Sequence, residues 1–251
     1  MTREFASALD TGRVRRNNED AVAIDAQAGL AILADGMGGH HAGEVASAMA
    51  CEIVRQDLAR WRRAWPDTSS QSAALQAMVR CVAHANQAVL RAAQTRPECR
   101  GMGTTLVLVL VAGTQLLVGH VGDSRAYRWR DDQLERLTRD HSLLQEQVDA
   151  GLMSAEEAAS SRRRNIVTRA VGVEPEVQLE VQAHDALPGD LVLLCSDGLT
   201  DMVSDTEIAA VLRLGGPLQA LCARLIEAAN AAGGADNIAV VLTRDEGDPF
   251  K

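Results

Sequence analysis

Aromatic side chains are nearly absent from this sequence. Phe, Trp and Tyr together make up 2% of 251 residues, too few ring faces for the stacking platforms that bind single-stranded nucleic acid. Paired cysteines are missing as well. Cys51, Cys81, Cys99, Cys195 and Cys222 are odd in number, widely spaced and free of any C-x-x-C pair. A disulfide framework or zinc knuckle does not fit them; reduced thiols of a cytoplasmic protein do. No apolar run has the character of a membrane span. The longest, Thr104 to Gly122, is broken by Gly113, Thr114 and Gln115 and reads as a pair of strands joined by a tight turn. Met1 to Asp10 lacks the apolar centre of a secretory signal. Positive charge is also scarce: 34 acidic residues against 25 basic ones give a net charge of −9. Such a field disfavours nucleic-acid backbones and anionic lipid. Any phosphate-ester chemistry on this chain therefore needs added cations.

What remains is the composition of a folded enzyme-sized domain. Hydrophobic residues are 47% and charged residues 24%, enough apolar material for a full core. No internal repeat, low-complexity tract or linker divides the chain, so residues 1–251 are expected to form one domain. Ala21 to Ile24 and Leu30 to Ala34 read as strands around a hairpin turn. Two long helices are expected, roughly 42–64 and 71–95, the second carrying Leu75, Met78, Val79, Val82, Ala85 and Val89 on one face. Strands return at 104–111, 116–121 and 125–129. A polar helical insertion runs over 143–161 and ends in Arg162-Arg163-Arg164. Further strands are expected at 177–181 and 190–195, then helices near 205–214 and 217–232, then a last strand at 238–242. Blocks of strands and helices, rather than strict alternation, point to an α+β fold with antiparallel sheets.

Four aspartates stand where an apolar run meets a glycine or a turn: Asp35, Asp123, Asp197 and Asp236. Taken singly, each is ordinary turn chemistry. Taken together they suggest more, because a strand fixes the position of its last residue, and several strand ends on one rim bring their carboxylates together. Crowded carboxylates repel unless they are protonated or neutralised. Mg²⁺ and Mn²⁺ are oxygen-seeking ions that suit an Asp-rich, cysteine-free cluster better than zinc does. Arg15-Arg16-Asn17-Asn18-Glu19-Asp20 adds a guanidinium fork for phosphate oxygens and further carboxylates. Other phosphate chemistries are excluded by inspection. No cysteine has an arginine six positions later, Asp35-Gly36-Met37 lacks the second aspartate of a D-x-D nucleophile, and no Walker signature or G-x-S-x-G elbow is present.

In this combination the chain resembles the metal-dependent type-2C protein serine/threonine phosphatases, most closely their compact bacterial members. The matching segments run in the family's order over nearly the whole chain. They are 15–20, Asp35-Gly36-Met37-Gly38-Gly39-His40, Gly43-Glu44, Gly103-Thr104-Thr105, Gly122-Asp123-Ser124-Arg125, Asp140-His141-Ser142, Thr168-Arg169-Ala170, Ser196-Asp197-Gly198 and Asp236-Asn237.

The resemblance implies a central sandwich of two antiparallel β-sheets flanked by helices on both faces, with a flap at about 143–169. It implies that Asp35 bridges two Mn²⁺ or Mg²⁺ ions, that the Gly36 carbonyl ligates one of them, and that Asp197 and Asp236 complete the other. Asp123, with Asp197, matches the site of a third ion. Glu19 and Asp20 would act through metal-held water or as supports. Arg15, four residues before Glu19, matches the phosphate-binding arginine.

The implied reaction is direct hydrolysis of phosphoserine and phosphothreonine in proteins by a water activated between the ions, with no catalytic cysteine. It would reverse the action of a bacterial serine/threonine kinase. Where eukaryotic relatives place a histidine two positions after the bridging aspartate, this chain has Met37. His40 follows the bacterial pattern, to donate a proton or to position substrate, and His141 is assigned a structural hydrogen-bonding role. No nucleic-acid or membrane partner is expected, and a monomer is the default. The alternatives carried are a non-catalytic phosphoprotein-binding module on the same fold and a small-molecule phosphoesterase.

Overall fold

Strands that are apolar at every position need cover on both faces, and this chain has several: Leu30-Ala31-Ile32-Leu33-Ala34, Leu106 to Val111, and Leu191 to Cys195 are buried throughout. The computed structural model describes residues 3–39, 42–65, 70–154, 157–158, 161 and 166–245. Numbered in chain order, its strands are β1 (Arg3–Asp10), β2 (Asp20–Asp25), β3 (Leu30–Met37), β4 (Gly103–Thr104), β5 (Leu106–Ala112), β6 (Gln115–Val121), β7 (Arg125–Arg130), β8 (Gln133–Arg136), β9 (Glu180–Asp185), β10 (Leu191–Cys195) and β11 (Ile238–Asp245). Its helices are α1 (Ala42–Ala64), α2 (Gln71–Thr95), α3 (Leu143–Asp149), α4 (Asp197–Thr200), α5 (Asp205–Arg213) and α6 (Leu218–Ala231). One sheet has the order β1-β11-β10-β7-β8 and the other β2-β3-β5-β6-β9, with β4 paired to β3. Every pairing is antiparallel.

Side-chain alternation builds the layers. Ala31 and Leu33 of β3, Val107 and Val109 of β5, Val192 and Leu194 of β10, and Ala239 and Val241 of β11 meet between the sheets. Their neighbours Leu30, Ile32, Leu106, Leu108 and Leu110 face the other way, onto Val54, Leu58, Met78, Val82 and Val89 of α1 and α2. Leu191, Leu193, Cys195, Val240 and Leu242 turn outward onto Leu221, Cys222, Leu225 and Ile208 of α6 and α5. The result is the expected helix–sheet–sheet–helix arrangement. A fully buried leucine contributes about 1.5–3 kcal/mol, so cutting Leu33 to alanine in this central layer should cost about 2–5 kcal/mol.

The helices α1 and α2 have the expected bounds, and α2 starts where the Ser70 hydroxyl accepts from the Ala73 N–H at 3.3 Å. Several strands differ from expectation. β1 pairs with β11 along its whole length; it was not foreseen because its small and polar side chains hide the alternation. β8 is a short, half-exposed edge that turns back on β7. β9 lies at 180–185, not 177–181, since its pairing to β6 sets its bounds. β3 continues past Asp35 through Met37 because Gly36 and Met37 pair with β4. In the insertion, helix is found at 143–149, and Gly151, with φ +68, follows its end. No helix among the described residues is long and apolar enough to cross a membrane.

Candidate active site

Antiparallel register gathers the strand ends that matter at one end of the sandwich. Asp35 on β3 stands opposite Asp20 on β2. Three hydrogen bonds lock its backbone. The Asp35 N–H donates to Thr105 Oγ1 at 3.0 Å. Its carbonyl accepts from the Thr104 hydroxyl at 2.8 Å and from the Thr105 N–H at 2.8 Å. The next residue has no room for a side chain, since a Cβ on Gly36 would collide with the Gly43 carbonyl. This close approach seats the start of α1 against the strand end. There the Ser47 hydroxyl donates to the Glu19 carbonyl at 2.6 Å.

The other aspartates arrive from the turn between β6 and β7 and from the ends of the second sheet's strands β10 and β11. Asp123 follows Gly122, whose φ of +103 is a backbone conformation that favours glycine. Ser124 Oγ lies 2.7 Å from Thr105 Oγ1, tying this turn to the Asp35 support. Asp197 opens α4 directly after β10. Ser196 before it donates its hydroxyl proton to Asp20 Oδ2 at 2.8 Å and accepts from the Ala239 N–H at 2.9 Å. Asn237 then binds the N-terminal loop. Its amide donates to the carbonyls of Thr11 and Asn17 at 3.0 and 2.9 Å, and its Oδ1 accepts from the Glu19 N–H at 2.8 Å. That loop presents Arg15, whose guanidinium donates to Asp236 Oδ2 at 2.6 Å.

The electrostatics are lopsided. Burial first, then the charges of Asp197 and Asp236, push Asp20 up to about 7 despite its bond from Ser196. Burial, then Asp197 and Asp140, push Asp123 up to about 8. Burial, then Asp201 and Asp236, push Asp197 up to about 6. Asp35, against Asp20, Asp197 and Asp123, rises well above the carboxylate range through burial and their repulsion. Asp20 Oδ1 and Asp197 Oδ1 are buried with no hydrogen-bond partner. Such atoms are costly to leave unpaired. The set of charged donors is oxygen-only, which fits Mn²⁺ or Mg²⁺ and not a thiolate-seeking ion. A cleft of about 290 Å³ opens over them, lined by Arg15, Glu19, Asp35, Gly36, Asp123, Asp197 and Asp236. Among the described residues Arg15 is the only guanidinium lining it.

The structure thus brings together Arg15, Glu19, Asp35, Gly36, Asp123, Asp197 and Asp236 in one cleft, with Asp20 packed behind Asp35. His40 and Arg162-Arg163-Arg164 lie outside the described residues. All five cysteines are free and buried, and burial raises the Cys81, Cys195 and Cys222 thiols to about 12. They are therefore not thiolates at neutral pH. Thr104, Thr105, Ser196 and Asn237 stand inside the segments that match the family, but the sequence assigns none of them an individual role. A second cluster, His120, His141 and Glu180, has ligand atoms within 4.8 Å of one another. Its polar atoms have protein partners, with His120 Nε2 2.7 Å from the Arg139 carbonyl, His141 Nε2 3.3 Å from Glu180 Oε2 and Glu180 Oε1 accepting from the Gln182 amide at 3.0 Å.

The sequence model described as Protein phosphatase 2C matches residues 12–243. The serine/threonine phosphatase stp of Listeria innocua is 38% identical over 249 residues, covering 96% of this chain and 95% of that protein. The crystal structure of the Mycobacterium tuberculosis serine/threonine phosphatase PstP superposes with a TM-score of 0.89 at 38% identity, covering 98% of this chain and 100% of that one. The catalytic domain of PstP in complex with two manganese ions gives a TM-score of 0.84 at 38% identity, over 96% and 97% of the two chains. A helix-flanked double sheet with an all-oxygen acidic rim thus has phosphatases as its relatives. The chain belongs to the protein phosphatase 2C family of serine/threonine phosphatases.

Proposed function

We propose that this protein hydrolyses phosphoserine and phosphothreonine in other proteins, in the cytoplasm and as a monomer, reversing a serine/threonine kinase. Residues 1–251 act as one phosphatase domain with a flap at about 143–169. The observation that carries this reading is the cleft itself: buried, mutually repelling carboxylates with unpartnered oxygens, and one exposed guanidinium at the rim. Asp35, Gly36, Asp197 and Asp236 would hold two Mn²⁺ or Mg²⁺ ions, and Asp123 with Asp197 a third. Divalent ions bound there supply Lewis acidity and make water a usable nucleophile near neutral pH.

The chain's own residues do the rest. Arg15 has a side chain 53% exposed, so its N–H groups beyond the Asp236 bond are open to phosphoryl oxygens. Charge-assisted bonds of that kind are strongest where charge develops in the transition state. Asp236 keeps Arg15 oriented, and Asn237 fixes the loop that carries it. Glu19 and Asp20 support the rim, with Asp20 held by Ser196. His40 follows Gly38-Gly39 in the sequence and is assigned, on sequence grounds, proton donation to the leaving oxygen or positioning of the substrate. With every thiol buried, the reaction needs no phosphocysteine.

Phosphate release from phosphoserine and phosphothreonine peptides, measured with manganese and then with excess EDTA, tests this reading. Metal-dependent release from both peptides is expected, with nucleoside monophosphates much poorer substrates. Release that survives EDTA, or that favours the nucleotides, would contradict it.

A further inference from the structure

Two segments on either side of the third-ion aspartate interlock, and the joint is His141. The Gly122 N–H donates to His141 Nδ1 at 3.1 Å, and the His141 N–H donates to the Gly122 carbonyl at 2.9 Å. Gly122 is therefore bonded on both sides, in the φ +103 conformation that sets the direction of Asp123. Since Nδ1 accepts, the ring proton sits on Nε2, which faces Glu180 Oε2 at 3.3 Å, with Arg169 Nη1 beside it at 3.5 Å. The imidazole also lies flat against His120, with centroids 4.6 Å apart and planes at 15°. One residue earlier, Asp140 takes a bidentate contact from Arg125 at 2.8 and 3.1 Å and another from Arg136. One residue later, Ser142 caps α3.

The base of the flap closes on the same residue. The Thr168 N–H donates to the His141 carbonyl at 2.8 Å, the Leu143 N–H donates to the Ile166 carbonyl at 2.9 Å, and Ser142 bridges to Val167. Both legs of the flap are thus pinned where Gly122 is pinned. The exit of β6, the flap and β9 meet at one buried imidazole, which is 6% exposed.

We propose that His141 is a positioning residue: through its Nδ1 it fixes Gly122 and so aims the Asp123 carboxylate relative to the flap base. This role rests on the reading of Asp123 as a ligand of the third ion. It differs from a plain packing role because it depends on one acceptor atom. An asparagine Oδ1 stands where Nδ1 stands and keeps the bond from Gly122. A glutamine reaches toward Glu180 and loses it. Groups that orient metal ligands from behind typically change metal affinity by about 10–100-fold.

The experiment is calorimetric titration of manganese into metal-free protein, for the natural chain, Asp123→Ala, His141→Gln and His141→Asn, with circular dichroism as the folding control. Asp123→Ala is expected to lose the weakest class of sites. His141→Gln should weaken that same class about tenfold and leave the tighter classes unchanged. His141→Asn should remain within about threefold of the natural chain. If His141→Gln binds like the natural chain while Asp123→Ala has lost the site, the positioning role is overturned and the third-ion assignment stands. If Asp123→Ala changes nothing, that assignment falls and takes this role with it. Should His141→Gln not fold, His141→Asn decides: the retained weak class supports the role, and its loss overturns it.

Discussion

The two ends of the sandwich treat carboxylates in opposite ways. At the end away from the cleft, Arg130 grips Asp190 through two bonds of 2.6 Å and also reaches Asp185 at 2.8 Å. Arg128 takes Glu135 and Asp185 in the same region. Bonding to Arg130 holds the Asp185 carboxyl below the usual range. At the cleft end, Asp20, Asp35, Asp123 and Asp197 crowd together, Arg15 bonds Asp236, and each of those four is pushed upward. Both ends belong to the same strands, so strand geometry does not set the difference. Side-chain choice does. One end has its counter-charges built in as arginines and serves stability; at the other Arg125 and Arg136 are taken up by Asp140, and the four crowded aspartates leave their counter-charges to cations and serve chemistry, as perturbed groups at a functional site commonly do.

The sharpest way to break this comparison is to remove a charge from the crowded end. Asp35→Asn should lower phosphate release from a phosphothreonine peptide by at least about a thousandfold, equivalent to about 4 kcal/mol, with the fold kept. Turnover near that of the natural chain would remove Asp35 from the centre. Arg15→Ala should have a smaller effect, since the cations remain. A loss of about 10–100-fold in kcat/KM is expected, and recovery by Arg15→Lys should be incomplete because lysine cannot offer a planar fork. At the far end, Arg130→Ala should destabilise the protein by about 1–3 kcal/mol in a urea titration, because Asp190 is buried and loses its partner. It should leave kcat and the manganese dependence unchanged. A catalytic defect in that variant would mean that the two ends are not independent.

Much of this layout is legible in the residues. Helices α1 and α2 follow from their periodicity, and the aspartates announce themselves where apolar runs stop at glycines and turns. Asp20 was readable as an acidic neighbour of Glu19, but its burial behind Asp35 depends on the β2–β3 register. β1 escaped because Ala6, Ser7 and Ala8 carry little hydrophobic signal, and only its pairing with β11 makes it a strand. The supports were harder still. Asn237 joins Thr11, Asn17 and Glu19 across more than two hundred residues of chain, and nothing local to Asn237 encodes those partners. The Gly122–His141 joint is likewise a contact between motifs, visible once the turn after β6 and the base of the flap are seen side by side.

If cations relieve the unfavourable electrostatic state of the cleft end, the protein's stability against pH shows it. Carboxylates raised in the folded chain bind protons more tightly there than when unfolded, so unfolding releases protons and stability falls as pH rises. For Asp197, Asp20 and Asp123 that fall begins near 3.8, the ordinary aspartate value, and runs to about 6, 7 and 8. Melting temperature is measured from pH 5 to pH 8, in EDTA and in manganese. The expected result is a metal-free protein that loses several degrees toward pH 8, and a manganese-loaded one in which that loss disappears. A melting temperature flat with pH in EDTA, or one that falls equally with and without manganese, would contradict the claim.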